Sequence, residues 1–497
     1  MKSSFVLLVY VRTLIFTFIY LLLPGFSISQ GSFSVNISKQ ESSGIAGQFE
    51  LNKGRYILYY YTYSNSIQLQ DIKGYLFLIN DFGDTSSIAL NSGDTVRYIL
   101  KMTKTSDNEF FAFGNQIEPP YTNVRMLVLK LDSNLNTIWR KSFQLNGYGR
   151  FLSVDVLKKS DELFYLAGSI YLQNNTYNRP YLIKINALGD TISTKYLEGT
   201  SIVGFYNSVF SPDSSQIWMF GAGYGTIGTT CLLATDTNFI IKCVKSLGGN
   251  NYGPASLPVM GKLFNNDSVL IVGNYLMELQ HPDDMDIGIR KTDTTLQPSP
   301  IHYFGAVDTV DYPADALGLD FINNDRIFYA GTHNIIPFFY SSGESWIMTG
   351  MLDRNLQPRY ERYYGGDAYY RTSLITATMD GGSLISAYKF YPTSEHTDLW
   401  ILKLNPDGLV TGSDQIEKGT MKQVLLYPNP GSDHLFIRTC LKNAVFNLID
   451  TGGKLVLSKK IDQGNNTIDC ASFHRRIFFY TITVNDRIIE SGKWIKY

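Results

Sequence analysis

The sequence is poor in charge, cysteine and histidine. Asp, Glu, Lys and Arg make up 18% of its 497 residues, and the 43 basic and 44 acidic side chains leave a formal net charge of −1. Typical soluble domains contain about a quarter of charged residues. A nearly neutral chain has no long-range field that attracts nucleic acid or an anionic membrane surface. A nucleic-acid partner is therefore not expected.

The motifs of common enzyme classes are also missing. The chain has only six histidines, and it contains no His-Glu-x-x-His pattern, P-loop or dinucleotide-binding glycine pattern. The nearest match to the Gly-x-Ser-x-Gly elbow of hydrolases lies at residues 343–347 and lacks the final glycine. No catalytic residue and no cofactor can be assigned. The sequence leaves enzymatic activity open and favours a non-enzymatic role.

Helical patterns are absent, whereas aromatic residues are abundant. The 34 tyrosines and 30 phenylalanines bring the aromatic content to 14%, and such side chains favour the half-buried surface of a pleated sheet. No long stretch places apolar residues at helical spacing. The sequence therefore predicts an all-β protein.

One long apolar run lies at the N-terminus. Residues 14–23 are almost wholly hydrophobic, and Ser27 and Ser29 supply small side chains just before Gln30. This arrangement predicts a cleaved signal peptide over residues 1–29. A permanent membrane anchor is the alternative. No later segment reaches the roughly 18 apolar residues that a membrane span needs.

Between residues 32 and 414 one pattern recurs seven times. An apolar strand ends in Asp or Asn, a turn follows, and a further strand leads to a glycine beside an aromatic residue or a second glycine. Asp and Asn can open such a turn because their side chains bond to the backbone two residues further on. The seven anchor residues lie 50 to 60 positions apart: Asn80, Asp132, Asn186, Asp236, Asp293, Asp353 and Asn405.

A period of about 50 residues with room for four strands is typical of propeller blades. We therefore predict a seven-bladed β-propeller over residues 32–414, because closure of the ring protects strand edges that separate sheets would expose. A β-solenoid, or six blades with a cap, are the alternatives.

The end of the chain is predicted to form a second domain. Six or seven short alternating segments lie within residues 421–497, and Gly453 can supply the positive φ of a tight hairpin turn. This pattern predicts a small Ig-like β-sandwich. The polar segment at residues 415–420 is poor in strand signals and is predicted to be a linker.

This domain contains three short motifs: Tyr427-Pro428-Asn429-Pro430, Gly453-Lys454 and Gly492-Lys493. With them the tail resembles the type A C-terminal sorting domain of the type IX (Por) secretion system, which carries bacterial cargo across the outer membrane. The repeats before it resemble degenerate propeller repeats of such cargo. The family usually has a glycine two residues before a tyrosine in the penultimate strand, and the matching segment here, residues 475–478, has none. An Ig-like module without a sorting role is the alternative.

The resemblance implies where the protein goes. It implies passage through the periplasm, contact with the type IX secretion machinery, removal of the tail, and a final place on the cell surface or outside the cell. No permanent membrane span is expected in the mature chain.

Four cysteines in an exported chain permit disulfides. Cys231 and Cys243 would face each other if the hairpin between them turned at residue 237. Cys440 and Cys470 both lie in the predicted sorting domain. Free buried thiols are the alternative for each pair, because cross-strand disulfides are often strained.

The densest acidic segment is His281-Pro282-Asp283-Asp284-Met285-Asp286. Oxygen ligands from Asp283, Asp284 and Asp286 could hold Ca²⁺, but the spacing differs from that of known calcium loops and favours a solvated loop. His333 and His396 lie in comparable connections and could line one face of the ring.

The sequence thus predicts an exported propeller that binds a glycan or protein ligand. Clusters of tyrosine, such as residues 59–61, 363–364 and 369–370, could stack on sugars or pack within the core. The alternative is a secreted polysaccharide-active enzyme, a glycosidase or lyase built on the propeller. Such an enzyme would need a pair of carboxylates contributed by different blades.

Overall fold

A computed structural model of the chain describes most residues beyond the N-terminal segment. The described ranges are 32–38, 42–63, 68–105, 108–121, 124–144, 148–172, 178–197, 202–223, 230–247, 259–278, 281–297, 299–335, 343–391, 397–410, 424–427, 433–439, 441–474, 476–484 and 487–496. The predicted signal peptide and linker, residues 1–29 and 415–420, lie outside them. The chain divides into two compact units, residues 1–419 and 420–497.

The first unit consists of seven antiparallel sheets that follow one another along the chain, and the prediction of a seven-bladed propeller is confirmed. Blade 1 contains β2 (Ser42–Asn52), β3 (Arg55–Tyr63), β4 (Lys73–Asn80) and β5 (Thr85–Ala89). Blade 2 contains β6 (Val96–Lys104), β7 (Phe110–Ile117), β8 (Val124–Leu131) and β9 (Thr137–Phe143). Blade 3 contains β10 (Tyr148–Ser160), β11 (Leu163–Leu172), β12 (Asn178–Asn186) and β13 (Thr191–Tyr196). A single 3-10 turn, Leu69–Asp71, precedes β4.

Blades 4 to 6 continue the same order. Blade 4 contains β14 (Ile202–Phe210), β15 (Gln216–Gly223), β16 (Thr230–Asp236) and β17 (Ile241–Ser246). Blade 5 contains β18 (Val259–Phe264), β19 (Ser268–Glu278), β20 (His281–Thr292) and β21 (His302–Phe304). Blade 6 contains β22 (Tyr312–Pro313), β23 (Leu319–Asn323), β24 (Arg326–His333), β25 (Trp346–Leu352) and β26 (Pro358–Gly365). The short strands β22 and β23 both pair with β24, so together they form the first strand of blade 6.

The seventh blade is completed by the start of the chain. Its strands β27 (Tyr369–Ala377), β28 (Ser383–Phe390) and β29 (Thr397–Leu404) are joined by β1 (Phe33–Ile37), which pairs antiparallel with β29. The indole of Trp400 donates a 2.6 Å hydrogen bond to Ser34, and Asn36 donates to Asp398 at 3.0 Å. The two ends of the propeller sequence therefore close the ring.

Apolar packing joins every blade to the next. Adjacent residues of a strand point to opposite faces of its sheet, so Ile217 packs towards blade 3 while Trp218 packs towards blade 5. Each of the seven blade boundaries holds one such cluster of buried side chains. This two-sided burial explains why the middle strands of the blades are continuous apolar runs rather than alternating ones.

All seven anchor residues begin a turn directly after the third strand of their blades, and in blades 1 to 6 this turn leads into the fourth strand. Asp353, for example, accepts hydrogen bonds on Oδ1 from the amides of Asn355 at 2.8 Å and Gln357 at 3.0 Å. The fourth residue of each turn has a positive φ: Gly83, Leu135, Gly189, Phe239, Leu296, Leu356 and Gly408. Where this residue is not glycine its side chain is buried or packed against a core cluster, which offsets the cost of the left-handed conformation.

The second unit is a sandwich of two small sheets, as predicted. One sheet has the order β30 (Val424–Tyr427), β31 (His434–Thr439), β34 (Gly464–Asp469), and the other β33 (Leu455–Ile461), β32 (Ala444–Asp450), β35 (Arg476–Val484), β36 (Arg487–Lys496). Trp494 and Phe478 stack with ring centroids 5.8 Å apart in a common core.

We predict that Asp353→Ala lowers the free energy of unfolding by about 1 kcal/mol, because two backbone amides lose their acceptor. Asp353→Asn should change it little, since Asn80, Asn186 and Asn405 hold the same turn in other blades. Chemical denaturation measures both variants. If Asp353→Ala unfolded at the wild-type denaturant concentration, the turn would not depend on its anchor.

Candidate ligand-binding channel

A cavity of about 550 Å³ lies among the inner strands of the propeller. It is lined by the first strands of six blades, including residues 45–50 of β2, residues 100–104 of β6 and Lys262 of β18. Tyr59 and Tyr61 of β3 extend the lining. Because six different blades contribute lining residues, no single stretch of sequence contains this site.

β-Bulges in the inner strands help to shape the cavity wall. The register of β2 against β3 shifts between Ile45 and Gly47, and the registers of β6 and β14 shift at the equivalent places. The extra residues at these bulges, Ala46, Leu100 and Tyr206, all line the cavity. A bulge bends its strand and re-aims the inserted residue, which fits this placement.

Ion pairs between neighbouring blades surround the cavity. Arg371 of blade 7 binds Asp315 of blade 6 through two hydrogen bonds of 2.6 and 2.9 Å. Lys262 of blade 5 pairs with Asp320 of blade 6. Lys101 of blade 2 lies 3.4 Å from Asp155 of blade 3. Burial is the largest single influence and opposes the charge of Lys101, but Asp155, Tyr59 and Asp320 together outweigh it and raise the lysine pKa.

The carboxylates of the cavity are engaged by donors. Asp320 also accepts a hydrogen bond from the amide of Ala377 at 2.9 Å. Glu50 accepts from the amides of Gly54 at 2.9 Å and Met379 at 2.5 Å, although burial raises its pKa. The lining contains three lysines and three carboxylates in all: Lys101, Lys104, Lys262, Glu50, Asp315 and Asp320. These formal charges cancel.

The acidic segment at residues 281–286 forms the start of β20, rather than the solvated loop that the sequence favoured. Among the residues that the structure describes, no group of three or more His, Cys, Asp or Glu side chains is arranged to hold a metal ion. The side chain of Asp283 lies outside the described residues, and the Ca²⁺ site suggested for Asp283, Asp284 and Asp286 stays an untested prediction.

Asp286 instead lies at the boundary between blades 5 and 6, together with His333. The Nδ1 atom of His333 is 2.6 Å from Oδ1 of Asp311, and both side chains are buried. A Cβ atom on Gly305 would collide with the carboxylates of both Asp286 and Asp311, so the two acids flank the same point of the backbone. His396 lies outside the described residues.

The tyrosine clusters are packed within the propeller. Tyr59, Tyr60, Tyr364, Tyr369 and Tyr370 are each at most 3% exposed. Tyr60 stacks on Tyr75, with ring centroids 5.2 Å apart, and Tyr370 lies against Trp400. These clusters were expected either to stack on sugars or to pack within the core. For these five residues the structure shows packing within the core.

The disulfide considered for Cys231 and Cys243 does not form, and both are free thiols. The turn at Asp236 contains a bulge, so Cys231 pairs with Ser246 and Cys243 pairs with Ala234. The prediction that the two cysteines face each other is therefore wrong, because it assumed a turn centred at residue 237 without a bulge. Cys470 is a buried free thiol, and Cys440 lies outside the described residues.

Two of the three sorting motifs, at Gly453 and at Gly492, lie at defined places in the sandwich. Pro428, Asn429 and Pro430 are outside the described residues, as is the side chain of Tyr427 at the end of β30. Gly453 has φ of 82° in a turn that Asp450 anchors by accepting from the amides of Gly452 and Lys454, both at 3.0 Å.

The motif Gly492-Lys493 lies in the last strand. Gly492 pairs with Tyr480, and a Cβ atom on Gly492 would lie 2.7 Å from the tyrosine hydroxyl. The tyrosine ring therefore needs a glycine opposite it. At the position where the family usually has glycine, Phe478 is buried against Trp494. The side chain of Lys493 lies outside the described residues.

Residues 425–496 match the family model described as the secretion system C-terminal sorting domain. The chain is a type IX secretion cargo. As such a cargo it is exported to the cell surface or beyond the cell, and its tail interacts with the secretion machinery. In the described part of the chain, no helix has the length and hydropathy of a membrane span.

Solved structures show distant likeness to this cargo. An acylaminoacyl peptidase from Pyrococcus horikoshii has a TM-score of 0.42 and 8% identity, and the match covers 81% of this chain but only 59% of the peptidase. The β-propeller domain of the Trilobed protease from Pyrococcus furiosus has a TM-score of 0.41 and 7% identity, covering 76% and 100%. These likenesses concern the fold alone.

A third solved structure is PorZ of Porphyromonas gingivalis, a bacterial surface component of the type IX secretion system. Its TM-score is 0.25 at 9% identity, and the match covers 93% of this chain and 82% of PorZ. No curated protein matches the chain.

We predict that removal of residues 421–497 leaves this cargo in the periplasm, because the truncated chain lacks its sorting domain. Gly492→Val should have the same effect, since the added side chain would displace Tyr480 from the sandwich. Ser491→Val, on an exposed neighbouring position of the same strand, is the matched control and should be exported. Immunoblots of periplasmic and surface fractions measure the outcome, and surface delivery of the truncated chain would contradict the sorting role.

Proposed function

We propose that this exported propeller binds a neutral, hydroxyl-rich ligand, such as a segment of glycan, in its central cavity. The cavity volume of about 550 Å³ falls within the range of about 300–1,000 Å³ that is usual for small-molecule sites. The inner strands that line it are held by their own blades and by bonds between blades. A rigid, preformed cavity loses little entropy when a ligand binds.

The charge of the lining supports a neutral ligand. Three lysines and three carboxylates cancel, and each lysine already contacts an acceptor: Asp155 for Lys101, Asp320 for Lys262, and the carbonyl of Leu51 for Lys104. A polyanion or polycation would have to break these pairs. Hydroxyl groups can both donate and accept, so they fit a wall of mixed polar groups without disturbing the pairs.

Aromatic side chains in the lining support the same class of ligand. Tyr61 and Tyr206 are partly buried and line the cavity, together with Phe49. Their rings offer apolar surface for the faces of sugar rings, and the tyrosine hydroxyls offer polar contacts. A protein segment with small polar side chains is the competing ligand, and the test separates the two.

Binding is favoured over cleavage because the carboxylates of the cavity already have donors. A glycosidase needs one carboxylic acid and one carboxylate about 5–10 Å apart and available to the substrate. Here Asp315 is held by Arg371, Asp320 by Lys262 and Ala377, and Glu50 by two backbone amides. We therefore place the polysaccharide-active enzyme second to a binding protein.

The test uses the exported protein on a glycan array, followed by calorimetry with the best ligand. Ala46→Trp and Leu100→Trp each add a bulky side chain at an inner-strand bulge and should weaken binding by about tenfold or more, which corresponds to about 1.4 kcal/mol. Ser87→Trp on the exposed outer strand β5 is the control and should bind normally.

A second outcome is that the glycan array shows no binding while the wild-type protein captures a polypeptide that the two tryptophan variants do not bind. That outcome would mean that the ligand of the cavity is a protein and not a glycan. Equal binding by all three variants would remove the cavity as the site. Release of reducing sugar from a polysaccharide by the wild-type protein would favour the enzyme instead.

A further inference from the structure

The larger sheet of the C-terminal sandwich, formed by β33, β32, β35 and β36, exposes large apolar side chains on the side that faces away from the core. Among the described residues of this domain three such side chains are exposed: Leu455 by 53%, Ile477 by 42% and Phe479 by 49%. Leu455 begins β33, and the other two belong to β35. Exposed apolar residues that gather on one surface mark sites of interaction.

Strand alternation places the two exposed residues of β35 on the same face. The side chains of Phe478, Tyr480 and Ile482 belong to the core of the sandwich. Because successive residues of a strand point to opposite faces, Ile477 and Phe479 point away from that core.

The neighbouring strand β32 extends this apolar face. Ile449 pairs with Phe479 on one side and with Leu455 on the other, and side chains that pair across antiparallel strands share a face. Ile449 is partly buried. Leu455, Ile449, Phe479 and Ile477 therefore form one continuous apolar surface across three strands, which we call the outer patch.

The outer patch is local, because the next row of the same face is polar. That row consists of Ser458, Asn447 and Thr481, which pair across the same three strands. The hydroxyl of Ser458 donates a 2.7 Å hydrogen bond to the side chain of Asn447. The sheet accommodates polar side chains on this face, so its fold does not require the apolar ones.

Both sorting motifs that the structure describes border the outer patch. The turn that contains Gly453 leads directly into Leu455. In the last strand Lys493, of the motif that ends the domain, is the backbone partner of Phe479. The family match shows that this domain interacts with the secretion machinery. The position of the motifs therefore connects the outer patch with that interaction.

The charge of the tail indicates the chemistry of the partner. Residues 421–497 contain eleven Lys and Arg against six Asp and Glu. Two of these lysines are exposed beside the patch: Lys454 precedes Leu455, and Lys460 of β33 pairs with Val445 on the same face. A complementary surface is apolar at its centre and acidic at its rim, the usual anatomy of a protein interface.

We propose that the outer patch is the surface by which the tail docks onto the secretion machinery, and that the docking component presents an apolar surface bordered by acidic side chains. Docking buries the four apolar side chains of the patch, and Lys454 and Lys460 pair with acids of the partner. The ligand of the propeller cavity has no part in this contact.

The core and the outer face of the sandwich then have separate roles. Side chains such as Trp494 and Tyr480 hold the domain together, whereas the outer patch recognises the partner. Substitutions in the patch should therefore block export while the tail stays folded. Gly492→Val, by contrast, should block export because it displaces a core side chain.

Phe479→Thr and Ile477→Thr in the full-length chain test the patch, since threonine retains the preference for a strand. Each should lower the fraction of protein that reaches the surface. The double variant should lower it by about tenfold or more, because two large apolar side chains leave the contact. The retained protein should resist trypsin in the periplasm as a folded chain does. Immunoblots of periplasmic and surface fractions measure the outcome.

Two controls separate apolar contact from other effects. Phe479→Leu keeps an apolar side chain and should be exported normally. Ile192→Thr removes an apolar side chain of the propeller that is 55% exposed, and it should also be exported normally. The rim is tested by Lys454→Glu, which should lower export, and by Lys454→Arg, which should not.

Normal surface delivery of the double variant would overturn the proposal. Retention of Phe479→Leu would do so too, because the contact would then not depend on apolar surface. Loss of trypsin resistance in the threonine variants would show that these side chains serve folding, which also overturns it. Normal export of Lys454→Glu would overturn the acidic rim.

A second copy of the tail is the competing occupant of the outer patch. Sedimentation velocity of the full-length chain, produced in a host without this secretion machinery, separates the two. A monomer is expected. A wild-type dimer that the double variant cannot form would assign the patch to a second copy and overturn the proposal. Neither measurement involves a glycan, so failure of the cavity to bind one leaves this outcome unaffected.

Discussion

Each blade of this propeller buries both faces of its sheet against neighbouring blades, and the rest of the structure depends on that constraint. The middle strands are apolar on both sides because residues such as Ile217 and Trp218 serve two different boundaries. The arrangement is complete only when the seventh blade meets the first, where Leu58 of blade 1 and Leu384 of blade 7 share one cluster. Strand β1, from the start of the propeller, covers the outer edge of β29 and joins the ends.

The sequence was sufficient to predict the fold because the features that specify it are local. Each anchor Asp or Asn forms its turn with amides only two to four residues away, as Asp132 does with Asn134 and Asn136. Seven such turns at similar spacing predict seven blades. The prediction that Cys231 and Cys243 face each other is wrong because of the same kind of turn. The turn contains a bulge that shifts the strand register, and a prediction that assumes no bulge assigns the wrong partners.

The candidate site could not be predicted because its residues come from separate blades. The side chain of Asn207 exchanges two hydrogen bonds with the backbone of Gly261, and Gln48 reaches Leu384 of the last blade. No spacing in the sequence indicates these pairs. Asp286, Asp311 and His333 likewise meet only at the boundary between blades 5 and 6. The sequence singled out Asp286 and His333, but only the structure shows that the buried Oδ1 atom of Asp286 has no hydrogen-bond partner.

The positions of these polar groups follow from the packing of the blades. Faces that pack against a neighbouring blade are mainly apolar, because an unpaired polar group buried there is costly. Polar groups that could contact a ligand are therefore expected mainly on the inner strands and in the connections between blades. Lys262 and Asp320 occupy the first of these regions and Asp311 the second. None of the seven anchor residues lines the cavity, so the turns that specify the blades and the groups that line the cavity are separate sets of residues.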